Sequence, residues 1–147
     1  MKKEIPLKQI LAICFLLAYL SMVYHIATPK SIASIMNLNQ HEIDLCTIGR
    51  GIAPGLTIEL SEEDTTSLLK LLEDTHIVRH YNLDTIGAPI GTTLYSLSFS
   101  CGTRLSNCYI YSNGSFMYNN QYWDIKTIVD RDNLLNFLHA YVLTGKI

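Results

Sequence analysis

Apolar residues fill one uninterrupted run near the start of the chain and afterwards follow two different rhythms. From Ile10 to Ala27 the sequence reads ILAICFLLAYLSMVYHIA, without an Asp, Glu, Lys or Arg. A helix of that length rises about 27 Å, close to the ~30 Å hydrocarbon core of a bilayer, so the run predicts a transmembrane helix. Two later stretches keep helical spacing. Leu68, Leu69, Leu71 and Leu72 form an apolar stripe behind Ser61, Glu62, Glu63 and Asp64. Ser61 suits the free amides of a helix start, and the acids suit its positive end. The stripe fades around Asp74 to His76. Near the C-terminus Leu134, Phe137, Leu138, Tyr141 and Val142 recur at i, i+3, i+4, i+7 and i+8. Asp130 or Asp132 is the expected cap, with Gly145 just past the end.

Between these helices the period is two. Tyr95, Leu97, Phe99 and Cys101 alternate with Ser96, Ser98 and Ser100, the pattern of a half-buried strand. Gly102 to Asn107 reads as a polar loop, Cys108 to Ser112 as a returning strand and Ser115 to Tyr118 as the next, with Tyr122 to Lys126 as a fourth. Asn113-Gly114 is the favoured pair of a two-residue type I′ turn, which sets residue 111 opposite 116, 110 opposite 117 and 109 opposite 118. Ile43 to Ile48 and Leu56 to Leu60 predict further strands, separated by Gly49, Gly51, Pro54 and Gly55. The expected fold is α+β: an N-terminal transmembrane helix, then a small domain with an antiparallel meander sheet and two helices on one face.

Flanking charge orients the predicted span. Lys2, Lys3 and Lys8 precede it with the single acid Glu4, so residues 1–9 are expected to stay cytoplasmic and the C-terminal part to lie outside. Residues 10–27 are then the anchor in the membrane, 28–40 a tether containing Pro29, and 41–147 the extracytoplasmic domain. A cleaved signal peptide is the competing reading. Its small-x-small exit fails at Ala27, two residues after His25, and is first met at Ser31-Ile32-Ala33, which would start a secreted chain near Ser34. A lipoprotein box at Leu11 to Cys14 is poorer, because Ile13 is not small and most of the apolar run follows Cys14.

Composition narrows the class. The chain has 147 residues, of which 48% are apolar and 16% charged, enough for one domain with a core and too apolar for a disordered chain. From Thr28 onward 8 basic residues face 12 acidic ones, so neither nucleic acid nor a polybasic lipid patch is expected.

Few residues suggest chemistry. With the register given above, Tyr109, Tyr111, Phe116 and Tyr118 would share an uncovered sheet face beside Ser96, Ser98 and Ser100. Such a face suits a protein, peptide or glycan partner. Plain strand propensity accounts for the same residues. Cys101 and Cys108 flank the predicted loop, and outside the cytoplasm a disulfide is expected between them, two reduced core thiols being the alternative. His76 and His80 have zinc-site spacing without a third ligand, so no metal is expected. No nucleophile elbow, phosphate loop or dinucleotide fingerprint occurs, and Glu62, Glu63 and Asp64 are explained by a first helical turn; neither a catalytic residue nor a cofactor is expected. Asn113-Gly114-Ser115 is formally a glycosylation sequon inside the predicted turn.

The MKKE start with its apolar run, the LSEED helix opening at Leu60 to Asp64, PIGTTLY at Pro89 to Tyr95 and YIYSNG at Tyr109 to Gly114 give a layout of one anchor and one small domain. It resembles small anchored extracytoplasmic proteins of Gram-positive bacteria. That resemblance implies an anchor and an α+β domain, and no functional residue. The expected function is a non-enzymatic, membrane-anchored interaction domain, with a secreted inhibitor or immunity-type protein as the alternative.

Overall fold

The computed structural model describes residues 6–39, 42–51, 57–79 and 92–144. The fold is α+β, with an open eight-stranded antiparallel sheet and four helices. Helix α1 spans Leu7–Ala27, and strand β1 follows at Lys30–Ser31. Then come α2 at Ile32–Met36, β2 at Leu45–Arg50, β3 at Thr57–Glu59, α3 at Glu62–Asp74 and β4 at His76–Arg79. A meander follows of β5 at Leu94–Cys101, β6 at Arg104–Tyr111, β7 at Ser115–Tyr118 and β8 at Gln121–Ile125, and α4 closes the chain at Ile128–Thr144. Across the sheet the order is β1-β4-β8-β7-β6-β5-β2-β3.

Helix α1 is long and apolar enough to cross a membrane, and none of its apolar window is buried against the rest of the chain. Its 21 residues rise about 31 Å.

The segment expected to be a tether is instead part of the folded domain. Lys30 and Ser31 pair with Ile77 and His76 in the sheet. Ser31 caps α2 by accepting from the Ser34 amide at 3.1 Å, and Ile32, Ala33 and Met36 are buried in the core. Asn37 ends the short helix in the left-handed conformation, φ 52°. The Met36 carbonyl accepts from the Arg104 guanidinium at 2.9 Å, and the Ile32 amide donates to the Thr75 carbonyl. Serine and threonine lowered the apparent hydrophobicity of this stretch, while Ile32, Ala33, Ile35 and Met36 give it a buried side.

The two predicted helices of the domain are present. Ser61 accepts from the Asp64 amide, and Leu68, Leu69 and Leu72 are buried. Helix α4 starts earlier than Asp130 or Asp132 would allow as caps: Thr127 accepts from the Asp130 amide at 3.0 Å. A threonine outside the apolar repeat carries this cap, which is why periodicity misplaced it. Helices α2, α3 and α4 close over one face of the sheet, where Cys46, Ile48, Ile77, Leu97, Phe99, Cys108, Ile110 and Phe116 meet Leu68, Leu72, Leu134 and Leu138 in one cluster.

At the rim of that layer Tyr141 of α4 hydrogen-bonds Asp64 of α3. Burial first, then this bond and the charges of Asp64 and Glu63, push its phenol up to about 12. The unfolded value is about 10, so this contribution to stability is complete below pH ~10 and is lost as the pH rises through about 12. Tyr141→Phe is expected to cost about 1–2 kcal/mol at neutral pH and to flatten that alkaline decline. Denaturant unfolding of both proteins between pH 8 and 12 measures it.

Candidate functional site

The face opposite the helices is set by three hairpin turns. Between β7 and β8 the turn is Asn119-Asn120, with φ 49° and 58°. Two left-handed central residues make this the type I′ turn, and asparagine tolerates that conformation best among residues with a Cβ. Between β5 and β6 the turn is Gly102-Thr103, with Gly102 at φ 59° and Cys101 paired with Arg104. Residues Arg104 to Asn107, expected in a loop, are strand.

The third turn corrects the predicted register. The Gly114 amide donates to the Tyr111 carbonyl at 2.8 Å, so Ser112 and Asn113 are the central residues, and the left-handed residue is Gly114, φ 91°. This is a three-residue loop ending in a glycine bulge, not a two-residue type I′ turn. Asn113 Oδ1 accepts from the Ser115 amide and stabilises it. A Cβ on Gly114 would stand 2.7 Å from Cδ of Arg131 on α4, so a side chain there would displace Arg131 as well as strain the left-handed backbone. The pairs are therefore Ile110 with Phe116, Tyr109 with Met117 and Cys108 with Tyr118.

A shift of one residue reverses a strand's faces. Phe116 is fully buried in the helix-covered core and Tyr118 packs against it. Tyr109 and Tyr111 stay on the opposite face, so the four aromatics expected together are divided two and two. Their new neighbours are Met117 and Tyr122, which pair with one another across β7 and β8. Sequence reasoning missed both. The Asn119-Asn120 dipeptide was the signal available for Tyr122, since it fixes β8 against β7.

The face that no described domain helix covers thus carries Tyr109, Tyr111, Met117 and Tyr122, with Ser96 directly opposite Tyr109 and Ser98 opposite Asn107. Tyr111 is only 3% exposed although it lies outside the core cluster. Burial first, then the neighbouring Tyr122 and its hydrogen bond, then Tyr109, raise its phenol above the ordinary value. Ser96, Ser98, Tyr109, Met117 and Tyr122 are half-buried. Hydroxyls, aromatic rings and a thioether together offer hydrogen bonds and apolar area, with no nucleophile and base aligned for covalent chemistry.

At one end of the sheet a cavity of about 690 Å³ lies between β2, β3 and the start of α3, lined by Asp44, Glu59, Ser61, Glu62, Thr65 and Thr66 among others. Its polar groups have local roles. Ser61 caps α3, Thr66 Oγ1 donates to the Glu62 carbonyl, and Asp44 accepts from the Gly102 amide.

The predicted disulfide is not formed. Cys14, Cys46, Cys101 and Cys108 are all free thiols. The two-residue turn places Cys108 opposite Leu97, four residues along β5 from Cys101, about 13 Å away and well beyond bridging distance. Cys46 and Cys108 face the core on strands separated by β5. Burial pushes the Cys46 thiol up to about 12, and burial together with Cys46 raises Cys108 further. His76 Nδ1 lies 2.9 Å from the Asp74 carbonyl, His80 lies outside the described residues, and no cluster of three potential metal ligands occurs among the described residues.

Comparison of the chain with protein families, with curated proteins and with solved structures gives no match.

The face assignment has a sharp test. Phe116→Ala is expected to cost about 3–5 kcal/mol and Tyr109→Ala about 1 kcal/mol or less, measured by denaturant unfolding. Similar losses for both would contradict the division. For the thiols, alkylation at pH 8 followed by mass analysis is expected to label Cys101 in the native membrane-held protein and all four after unfolding in detergent and denaturant without reductant. A missing pair after unfolding would show a bridge.

Proposed function

We propose that the protein is a single-pass, membrane-anchored interaction domain, non-enzymatic, with its C-terminal part outside the cytoplasm and its open sheet face turned to a protein, peptide or glycan partner. The observation that carries this reading is the embedding of Ile32, Ala33 and Met36 in the core immediately after α1. Cleavage at Ser31-Ile32-Ala33 would remove β1 and two buried side chains, so the secreted alternative with a chain starting near Ser34 would lose part of its own core. An apolar helix of about 31 Å without a covering partner supports retention in a bilayer. Lys8 at its start and the absence of a basic cluster after it support the outward direction of the domain.

The binding role rests on the division of the sheet. One face is used up by helices, while the other holds Tyr109 and Tyr122 on short, well-paired strands, where two rigid rings offer contact area at small entropic cost. No partner surface is needed for the fold to close.

Expression of the full chain with a C-terminal tag tests the proposal. The expected result is an intact N-terminal segment by mass, resistance to alkaline extraction from membranes, and digestion of the tag by protease added to intact cells. A shortened soluble chain, or a tag protected until lysis, would overturn the anchored, outward arrangement.

A further inference from the structure

We infer that the end of the sheet reached from α1 stands in the lipid headgroup layer, with Lys30 and Arg79 facing lipid phosphate and Trp123 level with the membrane surface. This inference rests on the anchored reading and adds the orientation of the domain and the ligand chemistry of one of its ends.

The chain between span and sheet is too short for the domain to stand away. Thr28 belongs to the end of α1, since both its amide and its hydroxyl donate to the Tyr24 carbonyl. Lys30 already belongs to β1. Pro29 alone lies between them, spanning about 3.5 Å with its φ fixed by the ring. The uncharged run from Ile10 to Ala27 rises about 27 Å, close to the hydrocarbon thickness, so the next residues fall in the headgroup layer, which is roughly 5–8 Å deep on each side.

The register shows what shares that level. Lys30 pairs with Ile77, so Thr28, two residues earlier, is level with Arg79, two residues later. Arg79 in turn pairs with Trp123. Two neighbouring strands therefore bring Arg79 and Trp123 to the height of the helix end, beside the exposed Lys30 and Tyr24. Lysine and arginine attract phosphate, and tyrosine favours the boundary between apolar and wet layers, whereas Trp123 packs against the core with its Nε1 buried and marks the level without anchoring it. Gly102-Thr103 and Asn119-Asn120 turn at this same end, where Asp44 accepts from the Gly102 amide and Leu105 is 66% exposed. The cavity acids Asp44, Glu59 and Glu62 stand at this end as well, but at the β2–β3 edge opposite β1, so the edge beside the anchor is the one that carries Lys30 and Arg79.

Trp123 is the only tryptophan of the chain and reports its own depth. The full-length protein is reconstituted in phosphatidylcholine vesicles with some phosphatidylglycerol, carrying a nitroxide either on the headgroup or deep in the acyl chain. Stronger quenching of Trp123 by the headgroup nitroxide is expected. Inserting ten Gly and Ser residues between Thr28 and Pro29, a coil of about 17 Å, is expected to reduce that quenching about threefold while the protein still floats with the vesicles. The double substitution Lys30→Glu and Arg79→Glu is expected to lower it in the same direction. Quenching that is absent, or unchanged by the insertion, in a protein that floats would overturn the orientation alone. A protein that fails to float would overturn the anchored reading beneath it. The insertion leaves every residue of the domain in place, so the test stands even if the double variant does not fold.

Discussion

Everything in this fold depends on how the first residues after α1 are held. Ile32, Ala33 and Met36 lie in the same apolar cluster as Leu68 and Leu72 of α3 and the strands beneath, and polar contacts tie them in on three sides. Ser31 caps the short helix, Thr75 accepts from Ile32, and Arg104 reaches across from the β5–β6 hairpin to the Met36 carbonyl. A five-residue helix has no stability of its own, because nucleation costs more than its few hydrogen bonds return. It persists because its apolar side is buried and its ends are satisfied by partners distant in sequence. Helix α1 and the domain therefore meet without a long linker, Pro29 alone standing between Thr28 and β1.

The helices and most strands were legible in the sequence because each depends on local pattern. Ser61 with three acids and a leucine stripe specifies α3, and strict alternation from Tyr95 to Cys101 specifies β5. What escaped depended on contacts remote along the chain. Residues 30–36 read as a tether because their polar side chains, Ser31 and Ser34 among them, are capping and edge groups whose partners cannot be seen locally. Strand β4 at His76–Arg79 has four residues and pairs with β8, where Arg79 stands opposite Trp123, 44 positions further along the chain, and the Lys126 amide donates to the His76 carbonyl. No local pattern announces such a pairing.

The candidate site was legible in its residue types and not in its arrangement, for one specific reason. Asn-Gly fits both a two-residue type I′ turn and the end of a three-residue loop, and the two differ by one residue in register. The second prevails because it buries Phe116 beside Ile110 under the helices, and because Gly114 leaves room for the Arg131 side chain against the turn. The energetic difference is large: full burial of an aromatic ring outweighs the modest preference of an isolated turn type. Tertiary packing therefore chose the register, and the register chose which tyrosines remain on the open side.

That choice also divides the sheet into two faces with different packing. Residues facing the helices, such as Leu97, Phe99 and Phe116, are fixed by close packing, where a lost methylene is felt throughout the core. Residues facing away, such as Ser96, Ser98, Tyr109 and Tyr122, are half-buried and lie outside the helix-covered cluster, so their substitution does not open a cavity in that cluster. The short segment after α1 works from the opposite direction: its apolar side and both ends are held by partners distant in sequence, so it joins α1 to the sheet without slack.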